Sequence, residues 1–228
     1  MNIIVTSGGT SEKIDAVRAI TNTSTGRLGC AIAEKFAALA DVDRVFYVHG
    51  EKAAKPLGDK IIRVPAPDTA ALEAELRRLA AENEIHAVVH AMAVSDYRVA
   101  KVTNERFEEL DRAKKISSNE PQLVVFMEKT PKIIALLRGL APQAAIVGFK
   151  LLDGVSETEL LDAAAGVLEK NDCDFVLAND ARGITEDGHR AILLRRGREI
   201  AGRFATKAEI ADGIAAAVLQ KLAERVQL

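Results

Sequence analysis

The run Asn2-Ile-Ile-Val-Thr-Ser-Gly8-Gly9-Thr10-Ser-Glu-Lys-Ile-Asp15-Ala-Val-Arg18-Ala-Ile-Thr-Asn22-Thr-Ser24-Thr-Gly26-Arg-Leu-Gly29 decides the fold. Its apolar opening, Ile3-Ile4-Val5, predicts a buried strand that releases the chain into glycines, where backbone N–H groups can approach an anion with no Cβ in the way. Gly26 and Gly29 then open a predicted helix from Leu28 to Leu39, whose N-terminal amides and dipole favour negative charge. Two glycine-bearing, hydroxyl-rich turns within one strand-to-helix passage suit a phosphate.

Outward from this run the pattern repeats. Apolar strand candidates fall at 2–6, 44–48, 61–64, 86–92, 145–149 and 174–178, separated by alanine-rich helical stretches at 28–40, 69–82, 131–139 and 157–171. That alternation predicts an α/β fold with a doubly wound, Rossmann-like parallel sheet. Ligands of such sheets lie beyond the strands' carboxyl ends, where the strand order reverses. Those ends read Ser7-Gly8-Gly9, Met92 to Asp96, Gly148-Phe149 and Ala178-Asn179-Asp180. Two segments break the rhythm: Lys114 to Glu128, with a strand at Gln122–Met127, and Ala191–Ala201, a hairpin turning near Arg196-Gly197. We expect these insertions, near 100–128 and 188–204, to form a small dimerisation extension on one nucleotide-binding domain spanning 1–228. A last helix, Lys207 to Val226, carries Ile210, Ile214, Val218 and Leu222 on one face.

Composition excludes several classes. The 228 residues hold 31 basic and 33 acidic side chains, a net charge of −2, so no global field favours nucleic acid or an anionic membrane and any anion site must be local. No apolar run approaches the roughly 20 residues that cross a bilayer, and the N-terminus lacks a signal-peptide pattern, so a cytoplasmic protein is expected. Cys30 and Cys173 read as buried thiols of a reducing compartment. His49, His86, His90 and His189 form no zinc-ligand spacing with them, so no metal site is expected.

Together, Gly8 to Gly26, Ala91-Met-Ala-Val-Ser-Asp96-Tyr97, Lys115-Ile116-Ser-Ser, Thr130-Pro131, Gly148-Phe149-Lys150 and Ala178-Asn179-Asp180 resemble the phosphopantothenate–cysteine ligase family of coenzyme A biosynthesis, over about residues 2–220. The likeness is to the stand-alone bacterial form, with no flavin-dependent decarboxylase region ahead of Met1 and no flavin expected. It implies a two-step ligation of 4′-phosphopantothenate and L-cysteine through an acyl nucleotide, using Mg²⁺ with CTP or ATP, in a homodimer. Such chemistry asks for backbone donors, a lysine and Mg²⁺ around a triphosphate rather than for covalent protein catalysis.

The resemblance also distributes roles. Asn22 acts on the acyl nucleotide, Arg18 presents a planar fork to carboxylate or phosphate, and Lys115, or its neighbour Lys114, closes over the triphosphate from a loop. Gly8, Gly9, Thr10, Ser24 and Gly26 hold phosphate. Asp96 takes the ribose hydroxyls, and the backbone of His90, Ala91 and Met92 reads the base. Phe149 lies beside the base, with Pro131, Lys132, Ile133 and Ile134 as the opposite wall. Fused relatives place two lysines one helical turn apart before the Ala-Asn-Asp strand; here Lys170 stands alone. Taken alone, Asn22 reads as a turn cap, Lys114-Lys115 as a basic surface turn, Asp96 as a helix cap, Phe149 as core, and Asn179 and Asp180 as turn formers.

Two other classes compete. An NAD(P)-dependent oxidoreductase also opens with strand, glycines and helix, but needs G-x-G-x-x-G directly after the strand, whereas Gly9 and Gly26 lie about 17 residues apart. A non-catalytic nucleotide-binding regulator would bind CTP or ATP without releasing pyrophosphate.

Overall fold

The computed structural model describes residues 1–185 and 188–226, so Glu186, Asp187, Gln227 and Leu228 of the expected 1–228 domain lie outside the described residues. Strand β1 (Asn2–Ser7) pairs in parallel with β4 (Arg44–His49) on one side and β6 (Ala87–His90) on the other. Beyond β4 lies β5 (Ile61–Pro65); beyond β6 lie β9 (Ala145–Leu152) and β10 (Phe175–Asp180), all parallel. β11 (Ala191–Arg195) runs antiparallel to β10, and β12 (Glu199–Phe204) closes that edge, giving the order β12-β11-β10-β9-β6-β1-β4-β5. The chain winds outward from β1 to β5 and then returns to β6, so the order reverses between β1 and β6. The carboxyl ends of those two strands are where a ligand cleft is expected.

Both faces are covered, which is why the inner strands are apolar without alternation. Ile3 and Val5 pack beneath α1 (Arg27–Ala37) and α5 (Lys207–Val226); Ile4 packs on the opposite face beneath α2 (Thr69–Glu82), α3 (Ile133–Leu140) and α4 (Glu157–Lys170). Helix α1 buries Gly29, Ile32, Ala33 and Phe36, the i, i+3, i+4, i+7 stripe of one helical face. Capping is local and legible: Asp68 accepts from the Ala71 amide ahead of α2, and Ser156 with Glu159 forms a capping box ahead of α4.

The insertions differ from the single extension expected of them. Strands β11 and β12 widen the main sheet, with β11 paired on both sides. The other insertion forms a separate antiparallel ribbon of β7 (Tyr97–Thr103) and β8 (Val124–Lys129), the latter two residues later than expected. A second small ribbon, β2 (Ser11–Lys13) with β3 (Ala19–Thr21), fills the passage between β1 and α1. Strand β6 stops at His90 rather than 92, because the Ala91 and Met92 amides turn to the Thr6 carbonyl and hydroxyl oxygens. Cys173 is buried as expected, whereas Cys30 is only half-buried.

At the reversal point the chain packs backbone on backbone. A Cβ on Gly50 would collide with the carbonyl oxygen of Gly9, which cannot swing aside as a side chain can. Gly50→Ala is therefore expected to destabilise by roughly 2–3 kcal/mol in urea unfolding, whereas Gly166→Ala, in α4 with open space around it, gains about 0.5–1 kcal/mol. Equal effects at the two positions would contradict this packing.

Candidate functional site

The glycines after β1 are tightly packed. Gly8, at φ +82, faces Ala53, whose Cβ would lie 2.6 Å from an added Cβ; one on Gly9 would lie 2.7 Å from the Asn22 carbonyl oxygen. Gly8 and Gly9 thus admit close approach of the protein's own chain. Thr10 is buried, its hydroxyl accepting the Ser95 amide at 2.9 Å. What this packing produces is the position of the next turn, residues 22–29.

That turn is seated on β1. The Ser7 hydroxyl donates to the Gly26 carbonyl at 3.0 Å, and Gly29 presses so closely on Ser7 that no side chain fits between them. Gly26, at φ +70, is the N-cap of α1 but offers no side-chain oxygen to its first-turn amides, and no acidic residue stands in that turn. An uncapped helix N-terminus is a ready anion site. It opens on a cleft of about 630 Å³ at the carboxyl ends of β1, β6, β9 and β10. The walls are the 22–29 turn, Ala91 to Ala93, Phe149 and Leu151 of β9, Asn179 of β10, His189, and Lys207 at the start of α5. Among the described residues Arg27 and Lys207 line the cleft and no carboxylate does, so these two cations supply local positive charge although the whole chain is slightly acidic.

Of the residues expected at the site, Asn22, Ser24, Gly26, Ala91, Met92 and Phe149 converge on this cleft. The Asn22 side-chain amide donates to the Ala93 carbonyl at 2.9 Å and its backbone amide to the Thr10 carbonyl at 3.3 Å. A primary amide has two hydrogens, so a second donor remains on a side chain already held in place.

The others fall elsewhere. His90 is buried beneath the cleft floor, its Nδ1 2.9 Å from the Thr6 hydroxyl. Asp96 and Lys132 pair with each other at 2.5 Å, both exposed, where the Thr130 amide and hydroxyl tie Ser95 and Asp96 to the end of β8. Pro131 is exposed beside them, but Ile133 and Ile134 turn into the core under α3 and form no open wall. Arg18 spends Nε and one terminal nitrogen on Asp15 and the Ile116 carbonyl instead of facing the cleft. Lys115 is exposed on the adjoining loop, and Lys114 lies 3.9 Å from Asp111. Lys170 is corrected outright: α4 starts above the carboxyl end of β9 and runs back, leaving its last residue at the amino end of β10, about 20 Å along the helix from the cleft side.

The structure adds a residue that the sequence weighs only as a metal ligand. His189 is 6% exposed, and its Nε2 lies 3.1 Å from the Asn179 side-chain amide. With that amide donating, Nε2 is the acceptor, and the proton sits on Nδ1, which has no partner among the described residues. Burial, reinforced by the Lys207 charge, lowers the His189 pKa to about 4, so the ring is a neutral donor at the cleft at physiological pH. Its partner Asn179 is ten residues upstream across a loop, a juxtaposition no local motif announces.

The family profile described as the DNA/pantothenate metabolism flavoprotein C-terminal domain matches residues 1–222. The coenzyme A biosynthesis bifunctional protein CoaBC of Thermococcus kodakarensis is 34% identical over 214 residues, 92% of this chain and 49% of that protein. The protein of the same name from Methanocaldococcus jannaschii is 31% identical over 179 residues, 78% of this chain and 40% of its own. The chain thus spans about half the length of these relatives or less. Among solved structures, the DNA/pantothenate metabolism flavoprotein from Streptococcus pneumoniae superposes with a TM-score of 0.85 at 36% identity, covering 96% of this chain and 99% of that one. The dinucleotide-enzyme reading loses its footing, because the β2–β3 ribbon stands between β1 and α1 where that fingerprint needs a direct turn.

Three buried histidines around these strand ends make stability pH-dependent. Burial lowers the pKa of His90 and His189 to about 4, and burial together with the Lys55 and Arg63 charges lowers that of His49. Unfolded, each titrates near 6.5, so between about 6.5 and 4 the unfolded chain holds more protons, and stability falls as pH drops through that window. Thermal melts should show Tm declining from pH 6.5 to 4, and more shallowly in His90→Asn. An unchanged slope in that variant would contradict the burial of a neutral imidazole there.

Proposed function

We propose that this chain, which belongs to the family of the DNA/pantothenate metabolism flavoprotein C-terminal domain, is a phosphopantothenate–cysteine ligase acting in coenzyme A biosynthesis. The observation that carries the reading is the cleft at the strand-order reversal: an uncapped helix N-terminus and two cations, with a fixed side-chain amide beside it. The relatives' names place them in the same pathway.

In this reading the carboxylate of 4′-phosphopantothenate attacks the α-phosphorus of a nucleoside triphosphate. Pyrophosphate leaves and an acyl nucleotide forms. The amine of L-cysteine then attacks the acyl carbon, an amide forms, and the nucleoside monophosphate leaves with the bonding electrons. The α1 N-terminus with Arg27 and the hydroxyls of residues 23–25 holds phosphate, while the second Asn22 hydrogen and the His189 Nδ1 hydrogen donate to oxygens that gain charge. Phe149 supplies an apolar wall for the base. Ala91 and Met92 offer backbone groups at its edge, and Asp96 takes the ribose once Lys132 releases it. Lys115 meets the outer phosphates.

Mg²⁺ arrives as part of the nucleotide substrate. The described lining supplies hydroxyl and amide oxygens, which suits a cation carried on phosphates and water. CTP is the favoured triphosphate and ATP the alternative. A homodimer is part of the same reading, supported by the exposed Tyr97, Phe107 and Met127 on the β7–β8 insertion. We place the reaction in the cytoplasm, in keeping with two unpaired thiols.

The test incubates the protein with 4′-phosphopantothenate, L-cysteine and Mg²⁺, offers CTP or ATP, and follows pyrophosphate and nucleoside monophosphate. Both products should appear in equal amounts and depend on cysteine for the second. Asn22→Ala should lower kcat roughly 100- to 1,000-fold, as loss of a donor to a developing oxyanion does, with nucleotide affinity nearly unchanged. Nucleotide binding without pyrophosphate release would favour a non-catalytic regulator instead.

A further inference from the structure

The strongest unexplained feature lies beside the cleft. The Asp15 side chain is fully buried and accepts four hydrogen bonds: from the Val17 amide at 2.9 Å, the Arg18 amide at 2.8 Å, the Arg18 Nε at 2.9 Å and the Ile116 amide at 3.1 Å. Burial alone would raise its pKa, but the hydrogen bonds from the Arg18 side chain and the three amides outweigh it and hold the carboxyl well below the usual range. Three of those donors are local and belong to an ordinary Asx turn. The fourth comes from 101 residues away, and Arg18 strengthens it by donating a further bond to the Ile116 carbonyl at 2.7 Å. Ile116 is thus held through both its amide and its carbonyl, with its side chain buried among Val99 and Val102.

A second anchor lies four residues earlier. The Arg112 guanidinium donates to the carbonyls of Lys13, Ile14, Val99 and Ala100, at 2.6 to 3.0 Å, stitching the loop to β2 and to β7 together. Between the two anchors lie only Ala113, Lys114 and Lys115, a short arch tied at both feet. Through β3 the same turn leads to Asn22, four residues or about 13 Å of extended chain from Arg18. One buried carboxylate therefore sets where an exposed lysine pair stands relative to the cleft amide.

We propose that Asp15 is a positioning residue: by holding Arg18 and Ile116 it fixes the foot of the loop from which Lys115 projects. The role given to Lys115 rests on the ligase reading above; the clasp itself rests on these contacts alone. Asp15→Asn replaces one acceptor oxygen with a donor, so it cannot serve both the Val17 and Arg18 amides on one oxygen and Arg18 Nε with the Ile116 amide on the other.

Two measurements decide it. Hydrogen exchange should show the amides of residues 113–116 opening at least about tenfold faster in Asp15→Asn while β1, β6 and β9 keep their protection; unchanged exchange at Ile116 overturns the clasp whatever the protein catalyses. In the ligase assay, Asp15→Asn should lower kcat roughly 10- to 100-fold, as small misplacements do, and this loss should vanish in a Lys115→Ala background. If the two losses multiply instead, Asp15 is merely structural. Should Asp15→Asn fail to fold, Arg112→Met loosens the other foot and must give the same exchange and the same non-additivity. Absence of pyrophosphate release from the parent protein would count against the ligase reading, and the exchange arm would still judge the clasp.

Discussion

The structure depends on close approach of main chain to main chain where β1 and β4 end. Gly8, Gly9 and Gly50 let the exit of β4, the exit of β1 and the strand before Asn22 meet without intervening side chains. Interiors tolerate little misfit at such points, because carbonyl oxygens have no rotamers to escape into. The consequence is positional: with Ser7 bonded to Gly26 and pressed against Gly29, helix α1 is bolted to β1 so that its uncapped end faces the strand-order reversal. The same packing aims Asn22 at Ala93 and so registers the β6 exit with the turn. An anion cleft arises here from how the backbone is stacked, with charge added by only two side chains.

Electrostatics then follows from what is omitted. A chain of net charge −2 cannot attract anions by its overall field, yet the cleft contains Arg27, Lys207 and a helix end, with no carboxylate lining it among the described residues. Three acids near these segments are engaged in fixing loops: Asp15 with Arg18 and Ile116, Glu12 with the Thr69 amide and hydroxyl, Asp180 with the amides of Gly154, Val155 and Arg182. Negative charge is thus used to fix loops, and the described lining of the cleft carries the two cations.

Much of the architecture was legible in the residues. The parallel sheet shows in apolar runs spaced by alanine-rich helices, and the hairpin at 191–204 shows in its turn near Gly197, since these signals depend on nearest neighbours. The site was legible where it is local: Asn22, Ser24, Gly26 and Phe149 sit on strand exits and a helix cap. It failed where the answer depends on the third dimension. A glycine such as Gly8 that permits a ligand's approach equally permits the approach of another loop, and only the position of Ala53 tells the two apart. Lys170 was misplaced because distance along the sequence to the next strand does not say which end of the sheet a helix terminus reaches. His189 escaped because its meaning lies in Asn179 across the loop and in burial of its ring, neither of which has a local signature.

The long span between Asp15 and Ile116 bears on how the molecule comes to be. Contacts between segments about a hundred residues apart form late, after nearer pairings have closed the intervening chain. During synthesis the N-terminal turn emerges with its acid waiting, and its partner follows only after five more strands and two helices have left the ribosome. A nascent chain halted before Ile116 would hold the turn that leads to Asn22 with one foot of its lysine arch missing.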